Sequence, residues 1–532
     1  MAKPRIAVFS GPTATIANSP TLVTSNKGRL PGDQILPGRY DHLVAQTLYE
    51  PVRIKIKKFS AHPLEEDARE LYHEDGKEYY EVELRPEDGP YLLPYAARRA
   101  DGSSKGAPFE DDDLVSAALH YGGRIFHYPD ASRIFADIDR TISGRDEHGE
   151  ANILDRKAEY DFIRALPPGG YTQRGEVRGE DYFPYKPFGL TKRPRYRDLA
   201  RVASTVQAAL ASGKYVGGLW LEGSASVEES LYWLSLLIDT DLPITGNASQ
   251  RPHGQLGNDG DRNIVDSVDY ILSGQGKGLG AVGIQDERIY AAREFKKADD
   301  RPGNYKATGG HGGILGSVGP PVTIWYRPTY KYTSSSEVNL SKLPEQIGFP
   351  DTVGDQALTR VQIKNPDGTL RAESIPRVHI VKSGAYMGEG DAENPDHEVD
   401  ILARIKQGLA EQRSEDPAAP RLHGFVLEGT SPYGQGSESQ FAALAIAAYT
   451  GMPVVKVGRA DPGGMVPPQG GRNPLTITGS NLDTNKARLL LMAALLKLGR
   501  LPKAKDPKNP TMRERDTVIA KIALFQEIFA TH

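Results

Sequence analysis

Two short stretches place hydroxyl side chains where enzymes commonly carry out chemistry. The first is Phe9-Ser-Gly-Pro-Thr-Ala-Thr-Ile-Ala17, and the second is Trp220-Leu-Glu-Gly-Ser-Ala-Ser-Val-Glu-Glu229. Each begins as a buried apolar strand and then breaks into a loop of small residues. In an α/β sheet such loops lie at the carboxyl edge, where ligands bind. Two hydroxyl-bearing loops, together with Lys297 later in the chain, point to nucleophilic cleavage of an amide or ester bond.

The elements that must position these loops are apolar runs of strand length that alternate with helix-length patterns. This alternation is typical of a parallel sheet covered by helices on both faces, so we expect an α/β fold. The predicted strands are 5–10, 216–223, 242–245, 378–381, 424–429 and 454–457, and the predicted helices are 227–238, 439–450 and 484–498.

The length of 532 residues predicts more than one domain. Residues from about 62 to 188 are polar, acidic and rich in tyrosine, proline and glycine, which is typical of a large insertion. The turn-rich text of 326–376 favours a linker with an extra hairpin. We therefore expect a larger N-terminal catalytic domain (1–328), a linker (329–375) and a smaller C-terminal α/β domain (376–532).

The composition excludes several classes of function. Because 65 Lys and Arg residues face 69 Asp and Glu residues, the charge gives no reason to expect a nucleic-acid partner. Without cysteine there is no thiolate zinc site and no cysteine nucleophile. The sequence lacks the apolar run of a signal peptide and the roughly 20 apolar residues of a membrane span. We expect a soluble cytoplasmic protein with no membrane contact.

Local pattern alone leaves the role of each hydroxyl open. Ser226 followed by Glu229 is typical of a capping box at a helix start. Ser224 lies outside that box, in the loop itself, and fits a structural or a catalytic role equally. Thr13 and Thr15 also fit solvated loop residues, and Lys297 fits an ordinary surface lysine.

Four motifs change this balance. Pro12-Thr-Ala-Thr-Ile-Ala17 aligns with a Thr-Gly-Gly-Thr-Ile-Ala signature, and Glu222-Gly-Ser-Ala-Ser-Val-Glu-Glu229 takes the place of His-Gly-Thr-Asp-Thr-Met-Glu-Glu. Arg293-Glu-Phe-Lys-Lys297 aligns with Arg-Asp-Val-x-Lys, and the end Thr478-Gly-Ser-Asn-Leu-Asp-Thr-Asn-Lys-Ala-Arg488 also matches. In these motifs and their order, the chain resembles the bacterial-type L-asparaginase/glutaminase family, outside two large insertions.

The resemblance implies a two-domain asparaginase-like fold and an amidohydrolase that forms an acyl-threonine intermediate. It assigns the nucleophile to Thr15, with Thr13 as a rival, and a proton relay to Ser224 and Lys297. Gly223 and Ala225 would line the substrate loop. The resemblance also implies no metal or organic cofactor and a homodimer or homotetramer, in which the C-terminal domain completes a neighbour's site.

The chain departs from the family where the family recognises an amino acid. The aspartate that binds the α-ammonium of asparagine is Ala225 here. The loop 429–436 lacks the family's asparagine, with Gln435 as the nearest substitute, and no glutamate follows Arg459 in 460–468. An ammonium desolvated without carboxylate partners costs several kcal/mol. We therefore expect an amide substrate without a free α-amino group.

Two further family positions lack an unambiguous match. The tyrosine of the family's flexible lid has Tyr40 as its nearest counterpart. The hydroxyl that binds the substrate carboxylate is best assigned to Thr191, just ahead of a predicted helix, with Ser60 and Ser143 as competitors.

Three other functions remain compatible with the sequence. The chain fits an ammonia-supplying subunit that works with a synthetase-like partner, as in tRNA-dependent amidotransferases. It also fits a non-catalytic binding protein that kept the pocket, or a hydrolase of a cyclic amide or imide. A hydrolase of a cyclic amide or imide needs no groups that bind the α-ammonium of an amino acid.

Overall fold

The structure is a computed structural model that describes isolated strands between residues 5 and 164 and most of the chain from residue 195 onward. After those strands, the described residues are 195–224, 226–248, 250, 259–300, 303–383, 401–460 and 473–532.

The strands, numbered in chain order, are β1 Arg5–Ser10, β2 Thr21–Val23, β3 Leu43–Gln46, β4 Val52–Lys57, β5 Tyr79–Leu84, β6 Tyr91–Pro94, β7 His120–Tyr121, β8 Arg124–Ile125, β9 Asp161–Arg164, β10 Gly217–Leu221, β11 Ile244–Asn247, β12 Ala281–Gln285, β13 Arg288–Ala291, β14 Phe295–Lys297, β15 Tyr305–Ala307, β16 Ile314–Val318, β17 Val322–Ile324, β18 Gln346–Pro350, β19 Leu358–Gln362, β20 Arg377–Lys382, β21 His423–Gly429, β22 Val454–Gly458 and β23 Ile477–Thr478. The α-helices are α1 Asp198–Ala211, α2 Val227–Leu237, α3 Gly260–Leu272, α4 Ile401–Arg413, α5 Glu438–Tyr449, α6 Thr484–Leu498 and α7 Met512–Thr531.

The larger sheet has the strand order β17-β16-β13-β12-β11-β10-β1-β9. Strands β9, β1, β10, β11 and β12 run parallel, which confirms the predicted α/β fold. Beyond β12 the sheet becomes antiparallel because a two-residue turn reverses the chain into β13. The turn residues Asp286 and Glu287 have φ of 51° and 61°, the left-handed conformation that tight hairpins require.

The outer strand of the parallel side is β9, which pairs with β1. It lies inside the segment 62–188 that the sequence predicts to be an insertion. Part of that segment therefore extends the main sheet.

The smaller sheet is parallel, with the order β20-β21-β22-β23. One face packs on α4 and α5 through residues such as Ile405 and Leu444, and the other face packs on α6. This is the covered parallel sheet that the alternating pattern predicts for the second half of the chain. The hairpin predicted within 326–376 is also present, as β18 and β19.

Helix α6 lies between the two sheets. Its residues from Leu489 to Leu496 are all buried, and it contacts α2 on one side and β20 and β21 on the other. A helix that is apolar all round is typical of the interior of a large protein. The two halves of the chain therefore share a continuous core. The domain boundaries at 328 and 376 stay a prediction.

None of the helices in the described ranges combines the length and the apolar character that a membrane crossing needs.

Helix α3 buries one carboxylate, Asp266, which gives a testable pH dependence. Its side chain is 0% exposed, and it lies 2.8 Å from Arg262 Nε. Burial raises the Asp266 pKa from 3.8 to about 7. The folded protein therefore takes up a proton between these values, and stability falls as pH rises through this window. We expect Asp266→Asn to stabilise the protein by about 1–2 kcal/mol at pH 8 and by almost nothing near pH 4.

Thermal unfolding of both proteins between pH 4 and pH 8 measures this difference. Asp269→Asn, which removes an exposed carboxylate from the same helix, is the control, with an expected change within about 0.5 kcal/mol. A stability difference for Asp266→Asn that does not vary with pH would contradict the prediction.

Candidate active site

The two strands that precede the hydroxyl-bearing segments, β1 and β10, end at the same edge of the larger sheet. Ser10, the last residue of β1, pairs with Leu221, the last residue of β10. The neighbouring strand β11 ends alongside, where the carbonyl of Asn247 accepts a hydrogen bond of 2.9 Å from the Glu222 amide. The carboxyl ends of parallel strands form the usual binding edge of an open α/β sheet. Ser10, the last described residue before Thr15 in the chain, therefore lies beside Leu221, the last strand residue before the Ser224 loop.

Ser224 is half-buried in the turn between β10 and α2. The turn closes because the Gly223 carbonyl accepts hydrogen bonds of 3.0 Å from the amides of both Ser226 and Val227. Beneath it the Glu222 carboxylate is buried. The predicted capping box at Ser226 is wrong, because Ser226 is the N-cap but its side chain makes no capping hydrogen bond. Its Oγ donates back to the Gly223 carbonyl at 3.5 Å.

Glu222 fixes the base of this turn. Its Oε2 accepts hydrogen bonds from Trp220 Nε1 at 3.2 Å and from Ser230 Oγ at 3.0 Å. The first donor lies on the strand and the second on the following helix. One buried carboxylate therefore ties both sides of the Ser224 loop together, as buried charged groups require partners of this kind.

Lys297 lies at the end of the β14–β15 hairpin. Its backbone amide donates to Glu228 Oε2 at 2.8 Å, one turn into the helix that follows Ser224. Its Nζ donates to the carbonyl of Gly303. The lysine strand is thus attached to the first turn of α2.

Tyr305 joins the two sequence-predicted residues. It pairs with Lys297 across the hairpin, and Lys297 Nζ lies 5.6 Å from the centre of its ring. Its hydroxyl donates to the Ser224 carbonyl at 3.5 Å and accepts from Gln250 Nε2 at 3.0 Å. The ring also stacks on Phe295, with centroids 4.5 Å apart. The structure therefore brings Ser224 and Lys297 to the same tyrosine.

Sequence reasoning missed Tyr305 and Gln250. No motif marks either residue. Tyr305 becomes a neighbour of Lys297 only through the register of a short hairpin, and Gln250 reaches it from a separate loop. That loop is held by Asp259, whose two carboxylate oxygens accept from the Gln250 amide at 2.9 and 3.0 Å.

Burial shapes the electrostatics of this edge. It raises the pKa of the Glu228 carboxyl, although Lys486 opposes the shift. It likewise raises the pKa of Glu229, which Arg488 opposes. Burial, aided by the charge of Glu228, also raises the pKa of Tyr305, so its hydroxyl stays a donor. Within the described ranges, no three His, Asp or Glu side chains are grouped to hold a metal ion.

The remaining sequence-predicted site residues lie outside the described residues. They are Thr13, Thr15, Tyr40, Ala225 and Thr191, together with the alternatives Ser60 and Ser143. Of the predicted site, the structure describes Gly223, Ser224 and Lys297.

Comparisons with known proteins find similarity to asparaginases. A family model described as the N-terminal region of asparaginase matches residues 192–303, the stretch that contains both Ser224 and Lys297. A glutaminase-asparaginase of Acinetobacter glutaminasificans is 27% identical over 236 residues, which cover 43% of this chain and 66% of that protein. L-asparaginase 2 of Bacillus subtilis is 24% identical over 311 residues, covering 56% of this chain and 66% of that protein.

The chain thus spans just under two thirds of the length of these two relatives. Among solved structures, a probable cytoplasmic L-asparaginase from Campylobacter jejuni aligns with a TM-score of 0.45 and 21% identity. That alignment covers 64% of this chain and 82% of the other. The family model and these relatives show that the chain is similar to asparaginases and glutaminase-asparaginases, and that residues 192–303 match the N-terminal region of that family.

Proposed function

We propose that the protein is an amidohydrolase that cleaves a carboxamide through an acyl-threonine intermediate. Thr15 is the nucleophile, and Ser224 and Lys297 form the proton relay. The observation that carries the proposal is that the Ser224 backbone carbonyl and the Lys297 side chain both lie against Tyr305, which puts the two residues in one neighbourhood. Support comes also from β1, which ends beside β10, so that the segment after Ser10 starts at the same edge.

In the proposed reaction, Thr15 Oγ attacks the amide carbonyl carbon and its proton passes to the Ser224–Lys297 relay. The carbon–nitrogen bond then breaks, and the relay returns the proton to the leaving nitrogen, so that ammonia departs. Water attacks the resulting ester, gives one proton to the relay and releases the acid. The proton returns to the threonine oxygen. Backbone N–H groups after Gly223 would stabilise the developing oxyanion.

We propose further that the substrate carries no free α-ammonium group. Ala225 provides no carboxylate at the family's recognition position. The two carboxylates that follow it on α2 are already engaged: Glu228 accepts from the Lys297 amide, and Glu229 accepts from Asn485 Nδ2 at 3.1 Å. A substrate ammonium would therefore compete with existing hydrogen bonds. An amide substrate whose α-nitrogen is acylated, or which has no α-nitrogen, avoids that cost.

We also propose a homodimer or homotetramer, on the basis of the family's assembly, and a cytoplasmic location. Neither Gln435 nor the segment 460–468 matches the residues with which relatives complete a neighbour's site. The oligomer would therefore complete the pocket with different contacts from those of the amino-acid amidases.

An ammonia-release screen tests this function. The panel contains L-asparagine, L-glutamine, their N-acetyl derivatives, and succinamic acid, which lacks the α-amino group. We expect kcat/KM for the amides without an α-ammonium to exceed that for L-asparagine by about 100-fold or more, since about 3 kcal/mol separates a paired from an unpaired buried ammonium. Efficient ammonia release from L-asparagine would contradict the predicted specificity.

The same screen separates the alternatives. Ring opening of a cyclic imide without ammonia would identify a cyclic-amide hydrolase. Activity that appears only after a synthetase-like partner is added would identify an ammonia-supplying subunit. Tight binding of one of these amides, with no acyl adduct at Thr15 detected by mass spectrometry, would identify a binding protein.

A further inference from the structure

The strand that carries Lys297 has one open edge. Among the described residues, β14 has β15 as its single strand neighbour. The groups that face β15 include the Glu294 carbonyl, which accepts from Thr308 at 2.9 Å, and the Ala298 amide, which donates to Asn304 at 3.1 Å. Because backbone groups alternate along a strand, the Phe295 carbonyl and the Lys297 amide point the opposite way. In a buried strand these groups need partners.

The C-terminal half of the chain supplies the donor. Lys486, in the first turn of α6, is 1% exposed. Its Nζ donates to the Phe295 carbonyl at 2.5 Å and to the Arg293 carbonyl at 3.0 Å. A lysine this deeply buried requires hydrogen-bond acceptors or carboxylate partners, because desolvation of an ammonium is costly.

Helix α2 supplies the acceptor. Glu228 Oε2 takes the Lys297 amide at 2.8 Å, two residues along the same edge. Three backbone groups on the open edge, the Arg293 and Phe295 carbonyls and the Lys297 amide, are thus paired with two side chains of opposite charge, in the place where a neighbouring strand would lie.

We propose that Lys486 and Glu228 form a side-chain cap on the edge of β14 and act as positioning residues that set the place of Lys297 relative to Ser224. The proposal rests on the proposed catalytic role of Lys297. The cap links the first turn of the helix after Ser224, the lysine strand and the C-terminal helix. In this proposal the N-terminal half, through Glu228, and the C-terminal half, through Lys486, are both needed to position the Lys297 amine.

The charges around the cap are consistent with this role. Burial lowers the pKa of Lys486, and the carboxylates of Asp483, Glu228 and Glu294 oppose that shift. Lys296, whose Nζ lies 3.9 Å from Asp483 Oδ2, points to the other side of the hairpin from Lys297. These carboxylates partly offset the cost of burying the Lys486 ammonium.

Three variants test the cap. Lys486→Met keeps the length and removes the donor, Glu228→Ala removes the acceptor, and Glu228→Gln keeps a carbonyl acceptor. We expect Lys486→Met and Glu228→Ala to lower kcat at least 10-fold with KM within about twofold, because positioning acts on the chemical step. Glu228→Gln should retain kcat within about threefold. Hydrogen exchange of the peptide that contains residues 293–297 should quicken at least 10-fold in the first two variants alone.

The matched control is Lys497→Met. Lys497 is on the same helix and also donates to a backbone carbonyl, that of Lys342 at 2.6 Å, but at the exposed end far from β14. Lys497→Met should change neither kcat nor the hydrogen exchange of the peptide that contains residues 293–297. Equal kcat losses for Lys497→Met and Lys486→Met would overturn the proposal, as would loss in Glu228→Gln as large as in Glu228→Ala.

Two outcomes keep the tests separate. If the wild-type protein hydrolyses no amide, the proposed function fails, while exchange at 293–297 still decides whether the cap exists. If Lys486→Met does not fold, the comparison of Glu228→Gln with Glu228→Ala decides the proposal. Unchanged exchange in Glu228→Ala would then overturn it.

Discussion

Replacement of Lys297 by methionine is expected to lower kcat for amide hydrolysis by about 10²- to 10⁴-fold, the usual contribution of a positioned proton-transfer group. Methionine is close to lysine in length and keeps the apolar stem over the Tyr305 ring, where Nζ lies 5.6 Å from the ring centre. It removes the amine. The hairpin should therefore persist while proton transfer is lost. Steady-state kinetics with the best amide from the screen measure the effect, and thermal unfolding confirms the fold.

The neighbouring lysine provides the control for this change. Lys296 lies on the opposite face of β14, with Nζ 3.9 Å from Asp483 Oδ2. We expect Lys296→Met to retain kcat within about threefold, since exposed and partly exposed ion pairs contribute little. If both substitutions reduced kcat equally, the lysine strand would matter through its stability alone and Lys297 would have no place in the relay.

Replacement of Thr15 by alanine is expected to have the largest effect in the protein. Removal of a nucleophile from a set of residues that act together costs about 10⁴-fold or more in kcat. The substitution should also abolish the acyl adduct that mass spectrometry detects after rapid acid quenching. Because the sequence predicts a loop for the segment that contains Thr15, the melting temperature should change little.

Thr13→Ala is the matched control for the nucleophile. The two threonines are separated by a single alanine in Pro12-Thr-Ala-Thr. Retained activity in Thr13→Ala with loss in Thr15→Ala would assign the nucleophile to Thr15. The reverse pattern would move it to Thr13 and shift the alignment of this loop by two residues.

The regular elements of the fold were predictable because their apolar pattern is continuous. Helix α6 has the predicted bounds, 484–498, and β20, β21 and β22 lie within two residues of the predicted strands. The predicted strand 216–223 is shorter in the structure, at Gly217–Leu221, because Glu222 and Gly223 are used in the turn. The order of apolar residues along the chain predicts these bounds directly, since each strand or helix buries its own side chains.

The contacts of the site were harder to predict because they depend on register. The motifs located Ser224 and Lys297, yet the tyrosine that joins them and the two side chains on the edge of β14 carry no local signal. Lys486 lies in the segment Thr478–Arg488, whose resemblance to the family assigns it no role in the site. Its role follows from the packing of α6 between the two sheets, which brings the start of that helix to the lysine strand.

The wide separation of Lys297 and Lys486 in the chain has a consequence for biosynthesis. At about 5–20 residues per second, roughly 10–40 s pass between translation of the first and of the second. Through that interval the Arg293 and Phe295 carbonyls on the open edge of β14 lack their Lys486 donor. Unpaired strand edges are the kind of surface that recruits other chains into aggregates. Ribosomal emergence of α6 ends this exposure. We therefore expect the proposed placement of Lys297 and the protection of this edge to be completed in the same late step of translation.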